Sequence, residues 1–178
     1  LEAKRIADNL KLADRIEVLA AKPAYITLKD HKENFRNHPT CRLINPSKSE
    51  IGIISKKVLD KINTAVLDAT KVNQWKNSSA VINWFKNIQT RRYSTFITFD
   101  VVNFYPSIDR DLMQKALAYA QQFTNITPSE IEIIFYAKHT LLFHNNTAWQ
   151  KANSQDMFDV TMGSYDGAET CELVGTYY

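Results

Sequence analysis

The sequence has few of the residues that mark a disulfide scaffold, a zinc site or a phosphate-binding loop. Its 178 residues include only two cysteines and four glycines. We expect Cys41 and Cys171 to be reduced thiols of an intracellular protein, because two cysteines are too few for a disulfide framework or a zinc centre. The four histidines never fall at HExxH spacing, no GxSxG elbow is present, and no glycine-rich nucleotide loop occurs. These absences exclude the motif-defined zinc proteases, serine hydrolases and P-loop or dinucleotide enzymes.

Long apolar runs are also missing. The chain contains no run of 18 apolar residues and does not open on a charged-then-apolar leader, so we expect neither a membrane span nor a signal peptide. A hydrophobic content of 44% is enough for one core. No Gly-Ser linker or internal repeat divides the chain. We therefore predict one globular body with two tightly joined lobes.

Charge is distributed unevenly behind a net value of +3. Residues 1–62 carry thirteen Lys or Arg against eight acids, a balance of +5, whereas residues 111–178 carry three against eight, a balance of −5. Within the basic part, cations and histidines are interleaved with Tyr25 and Phe35, a pattern that suits phosphates with some base stacking. The alternative is a solvated hairpin rim. The cations and histidines of this stretch are Lys29, His31, Lys32, Arg36, His38, Arg42 and Lys48.

Periodicity and capping signals predict an α/β (α+β) fold in which helices pack a small antiparallel sheet. The Thr127-Pro128-Ser129-Glu130 sequence is a capping box with proline at the first helical position. Trp84 is interpreted as a core residue of its predicted helix. The expected helices cover residues 3–20, 55–69, 78–89, the stretch after Ser107 or Asp109, and 127–139; the expected strands lie near 24–28 and 40–45, with a hairpin across 141–151.

The stretch from Phe96 to Ile108, FITFDVVNFYPSI, is the most informative. Phe96 to Phe99 are predicted to form a buried strand that ends on Asp100. Nucleotidyl transfer uses two divalent ions about 4 Å apart, and Mg²⁺ is held by few hard oxygen ligands. We expect Asp100 to be one such ligand, with a further one from the Val101 carbonyl. The ring of Tyr105 would lie under the incoming sugar and favour deoxynucleotides.

FDVVNFYPSI resembles motif A of reverse transcriptases, an Asp followed five residues later by Tyr or Phe. The stretch from Tyr25 to Ile62 is similar to the fingers of these enzymes, and VTMGSYDGAETCELVG, from Val160 to Gly175, resembles their motif B. The forms Lys-Asp-His-Lys and Met-Gly-Ser are nearest to those of Penelope-like and related retroelement enzymes. The three segments occur in the family's order and together span about 150 of the 178 residues.

The resemblance implies an RNA-directed DNA polymerase that adds dNTPs to a DNA or RNA primer on an RNA template, with two Mg²⁺ ions. Residues 1–92 would be a fingers-like region and residues 93–178 a partial palm. Lys29, Lys32 and Arg42 match the positions that hold the triphosphate. Gly163 aligns with the motif B glycine, and with Ser164 it would shape the pocket for the base pair.

The chain departs from the family in two respects. No Asp-Asp pair occurs, although the family carries a Tyr-x-Asp-Asp turn after motif B, so we interpret the sequence as an inactive fragment. Motif B is also rich in acids, which disfavours close template contact there. Two alternatives stay open: a catalytically inactive nucleic-acid-binding polymerase remnant, and an RNA-directed RNA polymerase. The acids of motif B are Asp159, Asp166, Glu169 and Glu172.

Overall fold

A computed structural model describes residues 24–46, 50–140, 142–144, 147–149 and 158–178. The helix predicted over residues 3–20 lies outside them. Within the described residues, no helix is both long and apolar enough to cross a membrane. The elements in chain order are β1 (Tyr25–Leu28), β2 (Cys41–Ile44), α1 (Glu50–Thr70), α2 (Ser78–Asn87), a 3₁₀ turn (Arg91–Tyr93), α3 (Phe104–Ser107), α4 (Arg110–Ala120), α5 (Pro128–Ala137), β3 (Leu142–His144), β4 (Thr147–Trp149) and α6 (Gly167–Tyr177).

The mixed α/β class is confirmed. β1 pairs antiparallel with β2, and β3 with β4, as two separate two-stranded sheets. The pairing of β3 with β4 agrees with the hairpin expected across residues 141–151, although its tip, Asn145-Asn146, lies outside the described residues.

The core lies between helices rather than against a sheet. Helix α1 supplies Leu59, Ile62 and Val66, which recur at the spacing of one helical face and are at most 1% exposed. Helix α1 packs against α5 and α6, and α4 packs against α6. Because this core draws on residues from both sides of position 92, the two predicted lobes share one hydrophobic cluster. The other helices contribute Met113, Ala116, Leu117, Ala120, Ile134, Phe135, Leu173 and Val174.

Local capping chemistry explains two helix starts. The Thr127 hydroxyl accepts a hydrogen bond from the Glu130 N–H, and the Glu130 carboxylate accepts one from the Thr127 N–H, so the predicted capping box is present. Asp109 caps α4 by accepting from the Leu112 N–H at 2.8 Å. The predicted capping box is confirmed, and of the two caps that the sequence left open for α4, Ser107 and Asp109, the structure has Asp109.

The start of α1 and the environment of α2 differ from expectation. Helix α1 begins at Glu50, so Ser55 is a buried residue inside the helix and not its cap. Helix α2 is capped by Asn77, whose side chain accepts from the Ala80 N–H at 2.9 Å. None of its residues is buried, and the interpretation of Trp84 as a core residue is wrong. An amphipathic pattern shows which side chains share a helix face but not whether another element covers that face.

The strand predicted at Phe96–Phe99 is not formed. Residues 94 to 101 have no regular secondary structure, and Phe96, Ile97 and Phe99 are 45%, 73% and 88% exposed. A strand needs a neighbouring strand to satisfy its backbone N–H and C=O groups, and no described strand pairs with this segment. The prediction of a buried strand is therefore wrong, because an apolar composition does not show whether a neighbouring strand is present.

Candidate functional site

The end of β2 meets the turn that precedes helix α6. The Asn45 N–H donates to the Met162 carbonyl at 3.0 Å. Gly163 has φ +109°, and a Cβ at that position would lie 3.0 Å from the Asn45 carbonyl oxygen and 3.1 Å from Cγ2 of Ile44. Both the backbone conformation and the close approach therefore require glycine. This contact joins the β1–β2 hairpin, in the segment that resembles polymerase fingers, to the turn in the segment that resembles motif B.

Tyr105 reaches the other end of the same turn. It lies in the short helix α3, which follows Asn103 in a left-handed conformation with φ 54°. A Cβ at Gly167 would lie 3.3 Å from Cε1 of the Tyr105 ring, so the small residue at position 167 makes room for that ring. Burial raises the pKa of Tyr105, and the neighbouring Cys171 thiol adds to this effect. Burial also raises the pKa of Cys171 to about 11.

One acid of motif B, Asp166, lies inside the protein. Asp166 is fully buried and forms an ion pair with Lys138, which is 1% exposed, and it accepts a hydrogen bond from the buried Ser55 hydroxyl. Burial lowers the pKa of Lys138. These three residues come from α1, from the residue that follows α5, and from the turn before α6. The pair thus fixes the Gly163–Asp166 turn against the helical core.

Two further acids of helix α6 bind side chains of α1. Glu169 forms an ion pair with Lys56, and this contact raises the pKa of the lysine. The amide of Asn63 donates to the Glu169 carbonyl at 2.9 Å and to Glu172 at 3.2 Å. Side chains of α1 contact both carboxylates, and Lys56 compensates the charge of Glu169. These acids should therefore repel a template less than their number in the sequence suggests. Sequence reasoning missed Lys138, Lys56 and Asn63, whose positions carry no motif signal.

Asp100 and Val101 lie in the exposed segment that follows Phe99, which has no regular secondary structure. Asp109 is occupied as the cap of α4, and Asp111 pairs with Lys115 at 2.6 Å. Within the described residues, no group of three or more His, Cys, Asp and Glu side chains is placed to hold a metal ion. The donor set found here, one exposed carboxylate with a neighbouring carbonyl, does not by itself fit two Mg²⁺ ions.

The three proposed triphosphate contacts lie on or beside the β1–β2 hairpin. The strand register pairs Thr27 with Arg42, and the Lys29 N–H continues the ladder by donating to the Thr40 carbonyl at 2.9 Å. Because side chains alternate across a strand, Lys29 and Arg42 share one face as diagonal neighbours. Lys32 lies exposed in the connecting turn. Among the described residues these cations form no ion pair, so their charge is available to a ligand.

Neither the family models, nor the curated proteins, nor the solved structures give a match.

The structure thus brings together the predicted residues at the Gly163 turn and those on the β1–β2 hairpin, and among the described residues it shows no hydrogen bond or ion pair between either group and Asp100. Tyr105, Gly163 and Ser164 gather around one turn, and Ser164 donates its hydroxyl to the Thr161 carbonyl at 3.1 Å within that turn. The hairpin that carries Lys29 and Arg42 contacts this turn through Asn45. Asp100 remains on an exposed segment.

Proposed function

We propose that this chain is part of a reverse transcriptase, an RNA-directed DNA polymerase that adds dNTPs to a primer 3′ end on an RNA template. The observation that supports the proposal best is the meeting of three segments that are distant in sequence. The end of β2, the turn at Gly163 and the ring of Tyr105 lie together, although they come from the fingers-like region, motif B and motif A of the resemblance. An accidental match to scattered motifs gives no reason for these segments to converge.

Each residue of the proposal has a stated role. The basic face of the hairpin, with Lys29 and Arg42, and the nearby Lys32 contact the triphosphate. Tyr105, whose ring lies beside Gly167, is placed under the sugar in this proposal and disfavours a 2′ hydroxyl. The turn from Gly163 to Ala168 borders the base pair.

Asp100 is proposed as one magnesium ligand, with the Val101 carbonyl beside it. Magnesium would supply activation of the primer hydroxyl and neutralisation of the triphosphate charge. Catalysis needs more carboxylates than the described residues bring together, so we expect the 178-residue chain alone to be inactive. Its primer extension should not exceed that of an Asp100→Asn variant.

Binding by the chain itself provides the first test. We expect a labelled RNA–DNA primer–template to bind to the chain. We also expect the affinity of dNTP for the resulting complex to be lower in the Lys29→Ala and Arg42→Ala variants. Lys57→Ala, an exposed lysine on α1, is the matched control and should leave both affinities unchanged. Equal dNTP affinity in all three variants would remove the hairpin from the proposed substrate site.

Activity is tested in a longer polypeptide that contains this chain together with further carboxylates. Deoxynucleotide incorporation on an RNA template should require Mg²⁺ and disappear in Asp100→Asn. Tyr105→Ala should increase the use of ribonucleotides, because the ring that excludes the 2′ hydroxyl is removed. Unchanged sugar selectivity would contradict the role given to Tyr105 and would favour an RNA-directed RNA polymerase.

The exposed position of Asp100 favours one other candidate, a polymerase remnant that binds nucleic acid without catalysis. In that case binding falls steeply with salt, because released counterions drive it. It should also be indifferent to Mg²⁺ and to Asp100→Asn. A loss of primer–template affinity in Asp100→Asn, matched by removal of Mg²⁺, would contradict this candidate.

A further inference from the structure

Four aromatic rings contact one another beside helix α2, and we call this group the aromatic platform. Its members are Trp75, Trp84, Phe85 and Phe96. The ring centroids of Trp75 and Trp84 are 4.8 Å apart, those of Phe85 and Phe96 are 5.2 Å apart, and Trp84 meets Phe96 edge-on at 6.2 Å. The platform joins the residues before α2, the helix itself and the exposed segment before Asp100.

Three of the four rings of the platform face solvent, and Trp84 is half-buried beside them. Trp75, Phe85 and Phe96 are 44%, 43% and 45% exposed, and helix α2 buries none of its residues. Val81 and Ile82 of the same helix are also exposed. A contiguous apolar patch of this kind on a surface marks an interaction site more often than a random exposure. The rings touch one another but are not covered by any of the helices that form the core.

The chain segment that carries the platform has charge of one sign. No Asp or Glu occurs between Asp68 and Asp100, a stretch that carries five cations. Lys76 follows Trp75 directly and Lys86 follows Phe85, so cations lie next to rings along the chain. All five are exposed, and none forms an ion pair with another described residue. The five cations are Lys71, Lys76, Lys86, Arg91 and Arg92.

We propose that the aromatic platform binds single-stranded nucleic acid, with bases stacked on its rings and phosphates held by the surrounding cations. Stacking on exposed aromatic side chains combined with a positive surface is how sequence-tolerant single-strand binders work. Duplex bases do not offer their faces, so the platform should discriminate against them. The uniform positive charge favours a polyanion over an apolar protein surface or a second copy of this chain, since two such positive surfaces would repel.

The platform shares no residue with the proposed polymerase site, although Phe96 lies four residues before Asp100. It uses neither Asp100, Tyr105 nor the β1–β2 hairpin, and it does not depend on catalysis. Failure of the two proposals is therefore distinguishable. Primer–template affinity, dNTP affinity and primer extension report on the polymerase site, whereas affinity for an unpaired oligonucleotide reports on the platform.

The test measures fluorescence anisotropy of labelled uridine and thymidine oligomers of about 12 nucleotides, a length within the usual footprint of one stacking site. A blunt duplex of equal length serves as the comparison ligand. Trp84→Ala should weaken single-strand binding about tenfold, whereas Trp84→Phe should retain most of it. Phe123→Ala, which removes an exposed ring at the end of α4, is the matched control and should have no effect.

Substitution of the cations separates phosphate contacts from stacking. Lys86→Gln should reduce the slope of log affinity against log salt by about 0.7 for a single strand. Lys57→Gln, on the exposed side of α1, should leave the slope unchanged. Circular dichroism should show all variants folded, because α2 contributes no buried residue.

Three results would overturn the proposal. The first is equal affinity of Trp84→Ala and the unmodified chain for the unpaired oligomer. The second is equal or tighter binding of the blunt duplex through the same residues. The third is a concentration-dependent dimer in analytical ultracentrifugation that Trp84→Ala converts to monomer, which would assign the platform to self-association.

Discussion

The buried ion pair between Lys138 and Asp166 permits a sharp test of how the turn before α6 is held. Both side chains are essentially inaccessible, at 1% and 0% exposure, and the Ser55 hydroxyl is the only other hydrogen-bond partner shown for the Asp166 carboxylate among the described residues. Two charges removed from water depend on each other, because the low-dielectric interior solvates neither of them. Removal of one partner leaves the other charge uncompensated.

Lys138→Met keeps most of the side-chain volume and removes the charge. Loss of one member of a buried pair costs about 3–5 kcal/mol, against a total free energy of unfolding of about 5–15 kcal/mol for a typical domain. We therefore expect a large shift of the urea midpoint to lower concentration at constant slope. The double variant Lys138→Met/Asp166→Asn removes both charges and should recover about 2 kcal/mol of this loss.

The assay is urea denaturation followed by far-ultraviolet circular dichroism. Lys115→Met is the matched control, since Lys115 pairs with Asp111 on the exposed surface of α4 at 57% and 69% side-chain exposure. Solvent screens an exposed pair of this kind, so Lys115→Met should leave the urea midpoint nearly unchanged. A Lys138→Met loss below about 1 kcal/mol, or strict additivity of Lys138→Met and Asp166→Asn, would refute the reasoning.

Three other predictions concern a turn, a thiol and a helix cap. Gly163→Ala should lower the free energy of unfolding by about 1–3 kcal/mol because φ is +109° and the added Cβ meets backbone at 3.0 Å, whereas Gly175→Ala in α6, with its nearest neighbour at 3.9 Å, should be neutral or stabilise by up to about 1 kcal/mol; thermal melts of both compare them directly. At pH 8 a thiol reagent should modify the exposed Cys41 quickly and Cys171 only after denaturation, because burial raises the pKa of Cys171 to about 11; rapid labelling of two thiols in the native protein would contradict this. The backbone N–H of the N-cap residue of α5 lowers the pKa of Glu130, so the stability contributed by its charge is complete above the unfolded value of 4.5 and is lost as pH falls through the folded pKa. Glu130→Ala should therefore cost about 1 kcal/mol at pH 7 and progressively less as an acid titration of stability passes below the folded pKa.

Local signals in the sequence were sufficient where the interaction itself is local. The Thr127–Glu130 box and the Asp109 cap join residues three apart, so the sequence contains both partners. The β1–β2 hairpin is also local, because its two strands are close in the chain and a segment of turn-forming residues joins them. In each case the interactions that form the element join residues of one short segment of the chain.

Interactions between distant segments were not predictable in this way. The burial of Ser55 depends on Asp166, which is 111 residues away, and nothing in the serine's neighbours announces that partner. Phe96 to Phe99 have the composition of a strand, yet composition does not provide the neighbouring strand that would bury them. Trp84 failed as a core prediction for the same reason, because the covering element is a property of the whole fold.

The distribution of bound and free charge changes what the sequence totals imply about a polyanionic partner. Residues 111–178 carry a balance of −5, but Asp166 and Glu169 are neutralised by Lys138 and Lys56, and Glu172 accepts from an α1 amide. In contrast, the cations of the hairpin and of the α2 region form no ion pairs among the described residues. An approaching phosphate chain therefore meets fewer uncompensated acids than the count for residues 111–178 suggests, and the unpaired cations of the hairpin and of the α2 region are available to it. Screening by salt should weaken this attraction far more than it weakens the buried pair, because exposed charges are screened over about 10 Å whereas the buried ones are shielded from ions.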